Sequence, residues 1–284
     1  MSGRGGRLRA HASARIAENH VGAWQNAPTG RKGSAVQRHH WHAPARLLAA
    51  LFRPGSWRRE VLFLGLLYMA YEWVRGVAPE RKGLAFENAA RLQSLESWLH
   101  IDIEMSSNLL LRHHQWLADL ASAYYQLAHE GVAAIVLVWL WHRHKLSYPA
   151  LRSALVVTTL VSLLMYWLVP LAPPRLAQHG IIDTMLAHPV VFAGMKSVTG
   201  LVNLYAAMPS VHVAWATWCA LAFAVASSSP RRWLIWLYPL TTAAVVLGTG
   251  NHYVLDIVVG ALVVFIAWWA IELMHPDRQS QPAE

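Results

Sequence analysis

Six stretches of this 284-residue chain are apolar over about the length that a lipid bilayer demands, and nothing else in the sequence narrows the possible folds as much. A helix needs about 20 predominantly apolar residues to cross the hydrocarbon core. The runs are roughly Val61 to Ala78, Trp116 to Trp141, Ala150 to Leu171, Val211 to Ala226, Leu234 to Gly250 and Tyr253 to Leu273. Inside lipid each backbone polar group must be satisfied within the protein, so such runs fold as helices. The expected fold is therefore all-α: a polytopic membrane bundle of about six transmembrane helices. Between the first two runs, Leu84, Leu92, Leu95, Trp98 and Leu99 recur at loosely helical spacing. The segment Glu80 to His114 accordingly predicts an interfacial helix followed by a loop.

The net charge of +9 does not point to nucleic acid, because 11 of the 24 Lys and Arg residues lie between Arg4 and Arg59, ahead of the first apolar run. The excess belongs to one tail, which has little periodicity and no nucleic-acid-binding motif. Residues 1–56 read as a disordered basic cytoplasmic tail facing anionic headgroups, 57–275 as the transmembrane domain and 276–284 as a short cytoplasmic tail. No apolar core follows the early arginines, so the first span is expected to serve as its own insertion signal. With the tail inside, 17 basic residues fall on the cytoplasmic side and seven outside, the asymmetry expected of a multi-pass plasma-membrane protein with both termini cytoplasmic. Pro170 to Pro209 and the turn Thr249 to His252 then face outward. The one cysteine, Cys219, lies within an apolar run, so no disulfide can form within the chain.

Two polar signals interrupt the apolar pattern on that outer side. Met208-Pro209-Ser210-Val211-His212 stands where a polar loop becomes the fourth span. Pro and Ser suit a helix start, which places His212 in the first turn, among backbone donors that favour an anion. The second signal is Gly250-Asn251-His252-Tyr253-Val254-Leu255-Asp256-Ile257-Val258-Val259-Gly260. A spacing of i and i+4 puts His252 and Asp256 on one helix face, with Asp256 leaning back toward the histidine. A carboxylate that accepts from one imidazole nitrogen leaves the other nitrogen available as a nucleophile. An ionisable pair in a span costs roughly 2.5 to 3.5 kcal/mol per residue, which a helix-locking hydrogen bond or a catalytic role would offset.

Together, P-S-x-H and H-x-x-x-D at successive helix starts resemble the type 2 phosphatidic acid phosphatase superfamily, the lipid phosphatases related to vanadium haloperoxidases. The resemblance covers about Ala172 to Gly260 and looks most like the branch that includes inositol phosphorylceramide synthase. It implies that His252 takes the phosphoryl group, Asp256 orients it and His212 protonates the leaving group, with water or an alcohol as the final acceptor. The phosphatase branch carries an Arg six residues before its nucleophile, where this chain has Val246. It also carries a basic Lys…Arg-Pro motif, which Arg46 with Arg53-Pro54 imitates from the wrong side of the membrane. Both departures favour the synthase-like branch.

Arg175, in Ala172-Pro173-Pro174-Arg175-Leu176 just after the third span, is the candidate phosphate ligand, since a guanidinium can grip phosphate through two parallel hydrogen bonds. Its alternative is a snorkelling interfacial arginine. Ser210, Tyr125 and His129 complete the candidate substrate-binding set, Tyr125 and His129 sharing one face of the second span with Glu130 beside them. Asp183, His179 and His188 lie in the long outer loop and read as solvated loop residues, with contact to a head group as the alternative. His39-His40-Trp41-His42 lacks metal-ligand spacing, so neither metal nor cofactor is expected. The expected partners are a phospholipid or polyprenyl-phosphate substrate and membrane lipids, with no nucleic acid. Competing readings are a proton-coupled transporter through His252, Asp256, His129 and Glu130, which leaves P-S-x-H without a role, and a non-catalytic membrane scaffold. Substrate identity and oligomeric state carry no sequence signal.

Overall fold

A computed structural model describes residues 55–77, 81–188 and 203–274. The chain divides at Arg46, and every described residue belongs to the unit Leu47–Glu284. The tails expected over 1–56 and 276–284, with the His39–His42 cluster, lie outside the described residues apart from Gly55 and Ser56.

The helices are α1 (Trp57–Gly76), α2 (Lys82–Leu99), α3 (Glu104–His113), α4 (Gln115–Arg143), α5 (Tyr148–Leu168), the short α6 (Pro174–Ala177) and α7 (Thr184–Ala187), α8 (Val211–Ala226), α9 (Leu237–Gly248) and α10 (Val254–Met274). A 3-10 turn, Pro230–Trp236, leads into α9, so the fifth apolar run is divided between two elements. No strand occurs among the described residues, only an isolated bridge between Leu171 and Ala206. Three helices, α4, α5 and α10, are long and apolar enough to cross a membrane, and α8 is a shorter apolar helix. The loop expected before His114 is instead a second helix, α3. His100, with φ of 58°, caps α2 in the left-handed region and turns the chain toward it.

Helix α8 is the centre of the bundle, packed against α4, α5, α9 and α10. Its sequence explains this position. Alanines at 214, 216, 220 and 222 let neighbours come close, while Trp215 and Trp218 fill the gaps and send their indole N–H groups to Thr159 Oγ1 and the Leu151 carbonyl. At the end of α5 near Tyr148, the buried Arg152 pairs with Glu60 of α1 at 3.0 Å, and Tyr148 donates to the same carboxylate. Arg152 thus ties two helices together.

The opposite end of α5 belongs to the site. There Tyr166 donates to the Pro209 carbonyl, and the Ser210 N–H donates to the Asp256 carbonyl at 3.1 Å. Gly260 permits that last approach: a Cβ at this position would lie 2.6 Å from the Ser210 carbonyl oxygen. The backbones of the two polar motifs are therefore in direct contact.

Candidate active site

Gly250 ends the α9 segment with φ of +73°, and an added Cβ would meet Ile181 at 2.7 Å. The chain then runs non-helically through Asn251, His252 and Tyr253 before α10 begins at Val254. This corrects the expectation that His252 and Asp256 share a helix face: only Asp256 is helical. It sits in the first turn and reaches backward, its Oδ2 accepting the Tyr253 N–H at 3.1 Å and lying 3.3 Å from Nδ1 of His252. The acceptor-poor start of a helix draws the carboxylate toward its own free N–H groups, and the histidine just outside lies in the same reach. An ionised carboxylate can only accept, so Nδ1 carries the proton and Nε2 is the nitrogen left for chemistry.

His252 lines a cavity of about 720 Å³ that also takes in His212, Arg175, Asn251, Tyr125 and His129. The His212 and His252 rings are 6.0 Å apart between centroids, so both border the same part of the cavity. His212, in the first turn of α8 as expected, is braced from α4: Tyr125 stacks on it at 4.1 Å and His129 approaches at 4.0 Å. Glu130 lies 3.5 Å from His129 and accepts from the Tyr68 hydroxyl at 2.9 Å.

Arg175 is anchored on three sides. Its Nε pairs with Asp183 Oδ2 at 2.9 Å, Nη1 donates to the Asn251 side-chain oxygen, and its backbone N–H donates to the Gly250 carbonyl. A guanidinium has five N–H donors, so two such bonds orient it and leave three for an anion. It is 13% exposed, which fits a cavity wall better than a residue snorkelling to the interface.

Of the residues singled out in the sequence, His212, His252, Arg175, Tyr125 and His129 converge on this cavity, with Asp256 directly behind His252. Ser210 does not line it. Ser210 occupies the N-cap position of α8, fully buried, but its hydroxyl makes no capping bond, and its contribution is through its backbone to Asp256 and Gly260. Val246, at the position where phosphatases carry Arg, is buried in α9. His188 pairs with Asp119 at 2.7 Å, outside the cavity lining.

Several participants escaped the sequence reading. Asp183 was assigned only to the loop, yet it orients Arg175 and caps α7. Asn251 stands next to His252, a proximity that could have marked it. Tyr68, Glu72 and Arg75 bring the first apolar run to the cavity wall, and no spacing in that run announced it. Among the described residues no group of three or more His, Cys, Asp or Glu side chains has the geometry to hold a metal.

A helical membrane protein in which a cavity pairs one carboxylate-backed histidine with a second histidine and an anchored guanidinium has the equipment for acting on phosphate esters. The comparison with known families agrees: the model of the PAP2 superfamily matches residues 90–270, and the chain belongs to that superfamily. No curated protein and no solved structure matches the chain. Membership carries a phosphatase-type function on lipid phosphates in general terms. The match leaves out α1, the first residues of α2 and the last of α10, and contains the other helices.

Proposed function

We propose that the protein is a membrane lipid phosphotransferase or phosphatase that works through a phosphohistidine on His252, resembling inositol phosphorylceramide synthases in transferring or hydrolysing a phospholipid head group. The observation that carries this reading is the His252–Asp256 contact, 3.3 Å long and buried, opening onto a cavity that also holds His212 and Arg175. Nε2 of His252 attacks phosphorus as the bond to the leaving oxygen breaks, and His212 donates its proton to that oxygen. The acceptor hydroxyl then attacks the phosphohistidine, its proton returns to His212 and the P–N bond breaks. Arg175 holds the non-bridging oxygens, stabilising charge that grows in the transition state. Asp256 fixes the tautomer and stabilises the cationic ring.

The same reading places six spans across the plasma membrane, both termini in the cytoplasm and the cavity at the outer face. The supporting argument is the distribution of basic residues. In that orientation the cavity residues His212, Asn251 and His252, at the start of α8 and between α9 and α10, fall on the outer side.

Incubating the purified protein with glycerophospholipids, polyprenyl phosphates and inositol phospholipids, with and without an alcohol acceptor, tests the activity. Released phosphate or a new lipid, absent in His252→Ala, is the expected result. A wild-type protein inert toward all of them would sink the proposal.

A further inference from the structure

Two glutamates that belong to neither site motif reach the start of α10. Oε1 of Glu96, from α2, accepts the Leu255 N–H at 2.6 Å, and Oε1 of Glu104, from α3, accepts the Val254 N–H at 3.1 Å. Asp256 accepts the preceding donor, Tyr253 N–H. Three consecutive backbone donors, immediately after the proposed nucleophile, are thus taken by three different carboxyl groups. Each of the three residues is 1% exposed or less. One small capping side chain is ordinarily sufficient at a helix start, and burying carboxyl groups is costly, so ending a helix does not account for this arrangement.

The protonation of the cluster is consistent with a fixed geometry. Burial pushes the Glu96 carboxyl up to about 8; the Leu255 N–H opposes that shift, while Glu104 and Asp256 nearby add to it. Its side chain also meets that of Glu104, a carboxyl–carboxyl hydrogen bond that needs a proton on one of the two, so a neutral Glu96 fits the cluster better than a carboxylate. A neutral Glu96 still accepts from Leu255 without placing another negative charge beside Asp256.

We propose that Glu96 and Glu104 are positioning residues for the nucleophile: by holding the Leu255 and Val254 N–H groups they fix the first turn of α10, and so keep the Asp256 carboxylate against Nδ1 of His252. The inference rests on the phosphohistidine reading above. It gives α2 and α3 a direct part in the chemistry, through Asp256 rather than through contact with substrate.

The test compares Glu96→Ala, Glu104→Ala and Glu96→Gln in full-length protein, with turnover of a nitrophenyl phosphate ester normalised to folded, monodisperse molecules. Both alanine variants are expected to lose between about 10- and 100-fold in kcat, the scale of a small misplacement of a reacting group, with KM within about twofold. Glu96→Gln, whose amide oxygen can accept from Leu255, should stay within about threefold of wild type in kcat. If the alanine variants do not fold, Glu96→Asp serves, since its shorter side chain retreats from Leu255 and should lose kcat while Gln does not. Alanine variants with normal kcat per folded molecule, or a glutamine variant as impaired as alanine, would overturn the proposal. Carbethoxylation of His252, followed by peptide mass mapping, needs no turnover. It should run several-fold faster in the alanine variants than in wild type or Glu96→Gln, and equal rates would overturn the clamp even if the wild type proved inactive on every ester, an outcome that would sink the reaction instead.

Discussion

A methyl group on Gly260 would lie 2.6 Å from the carbonyl oxygen of Ser210, so the two polar motifs meet only because residue 260 has no side chain. Gly260→Ala gains about 1 kcal/mol of helix propensity in α10 but overpacks a backbone contact, at a cost of about 1 to 3 kcal/mol. The expected outcome is a lower melting temperature in detergent and at least a tenfold loss of turnover as His212 and His252 separate. Wild-type melting and turnover together would show that this close approach is dispensable.

The two histidines should respond differently to substitution. His252→Ala removes the atom proposed to bond to phosphorus and is expected to abolish turnover of every substrate. His212→Ala should lose about 10² to 10⁴ on a lipid substrate, the usual contribution of a general acid, and much less on a nitrophenyl ester whose leaving group needs little protonation. The reverse tolerance, with His252→Ala active and His212→Ala dead on the activated ester, would exchange the two roles.

Arg175 is held by Asp183 and Asn251 in a fork that an ammonium cannot reproduce. Arg175→Ala and Arg175→Lys are both expected to lose about 10² to 10³ in kcat. Asp183→Asn, which keeps a hydrogen-bond acceptor but drops the charge, should fall between these variants and wild type. Near-normal kinetics for Arg175→Ala would reduce this residue to an interfacial anchor.

Glu96 links stability to pH in a defined direction. Its folded-state value, about 8, is above the ordinary 4.5 of a glutamate. Between those values the folded protein holds a proton that the unfolded chain has released. Stability from this group therefore falls as pH rises from about 4.5 and levels off above about 8. Wild-type melting temperature should drop more steeply than that of Glu96→Gln between pH 5 and pH 8, the carboxyls of Glu104 and Asp256 being common to both proteins. Parallel curves for the two proteins would show that Glu96 is ionised in the folded state throughout.

Periodicity and length alone made the helices legible. The runs at Trp116 to Trp141, Ala150 to Leu171 and Tyr253 to Leu273 became α4, α5 and α10 within a few residues, since a helix in an apolar setting needs no partner to satisfy its backbone. The site motifs were legible for a related reason: Ser210-Val211-His212 and His252 through Asp256 combine helix-start residues with ionisable groups where lipid would exclude them. Tertiary structure decided what those motifs touch. Gly260 against Ser210, Asp183 against Arg175, Tyr68 and Arg75 on the cavity wall, and Glu96 and Glu104 at the start of α10 join residues between 8 and 159 positions apart. Such contacts depend on which helix faces meet in the bundle, and a single chain's spacing records the face of each helix but not its neighbour.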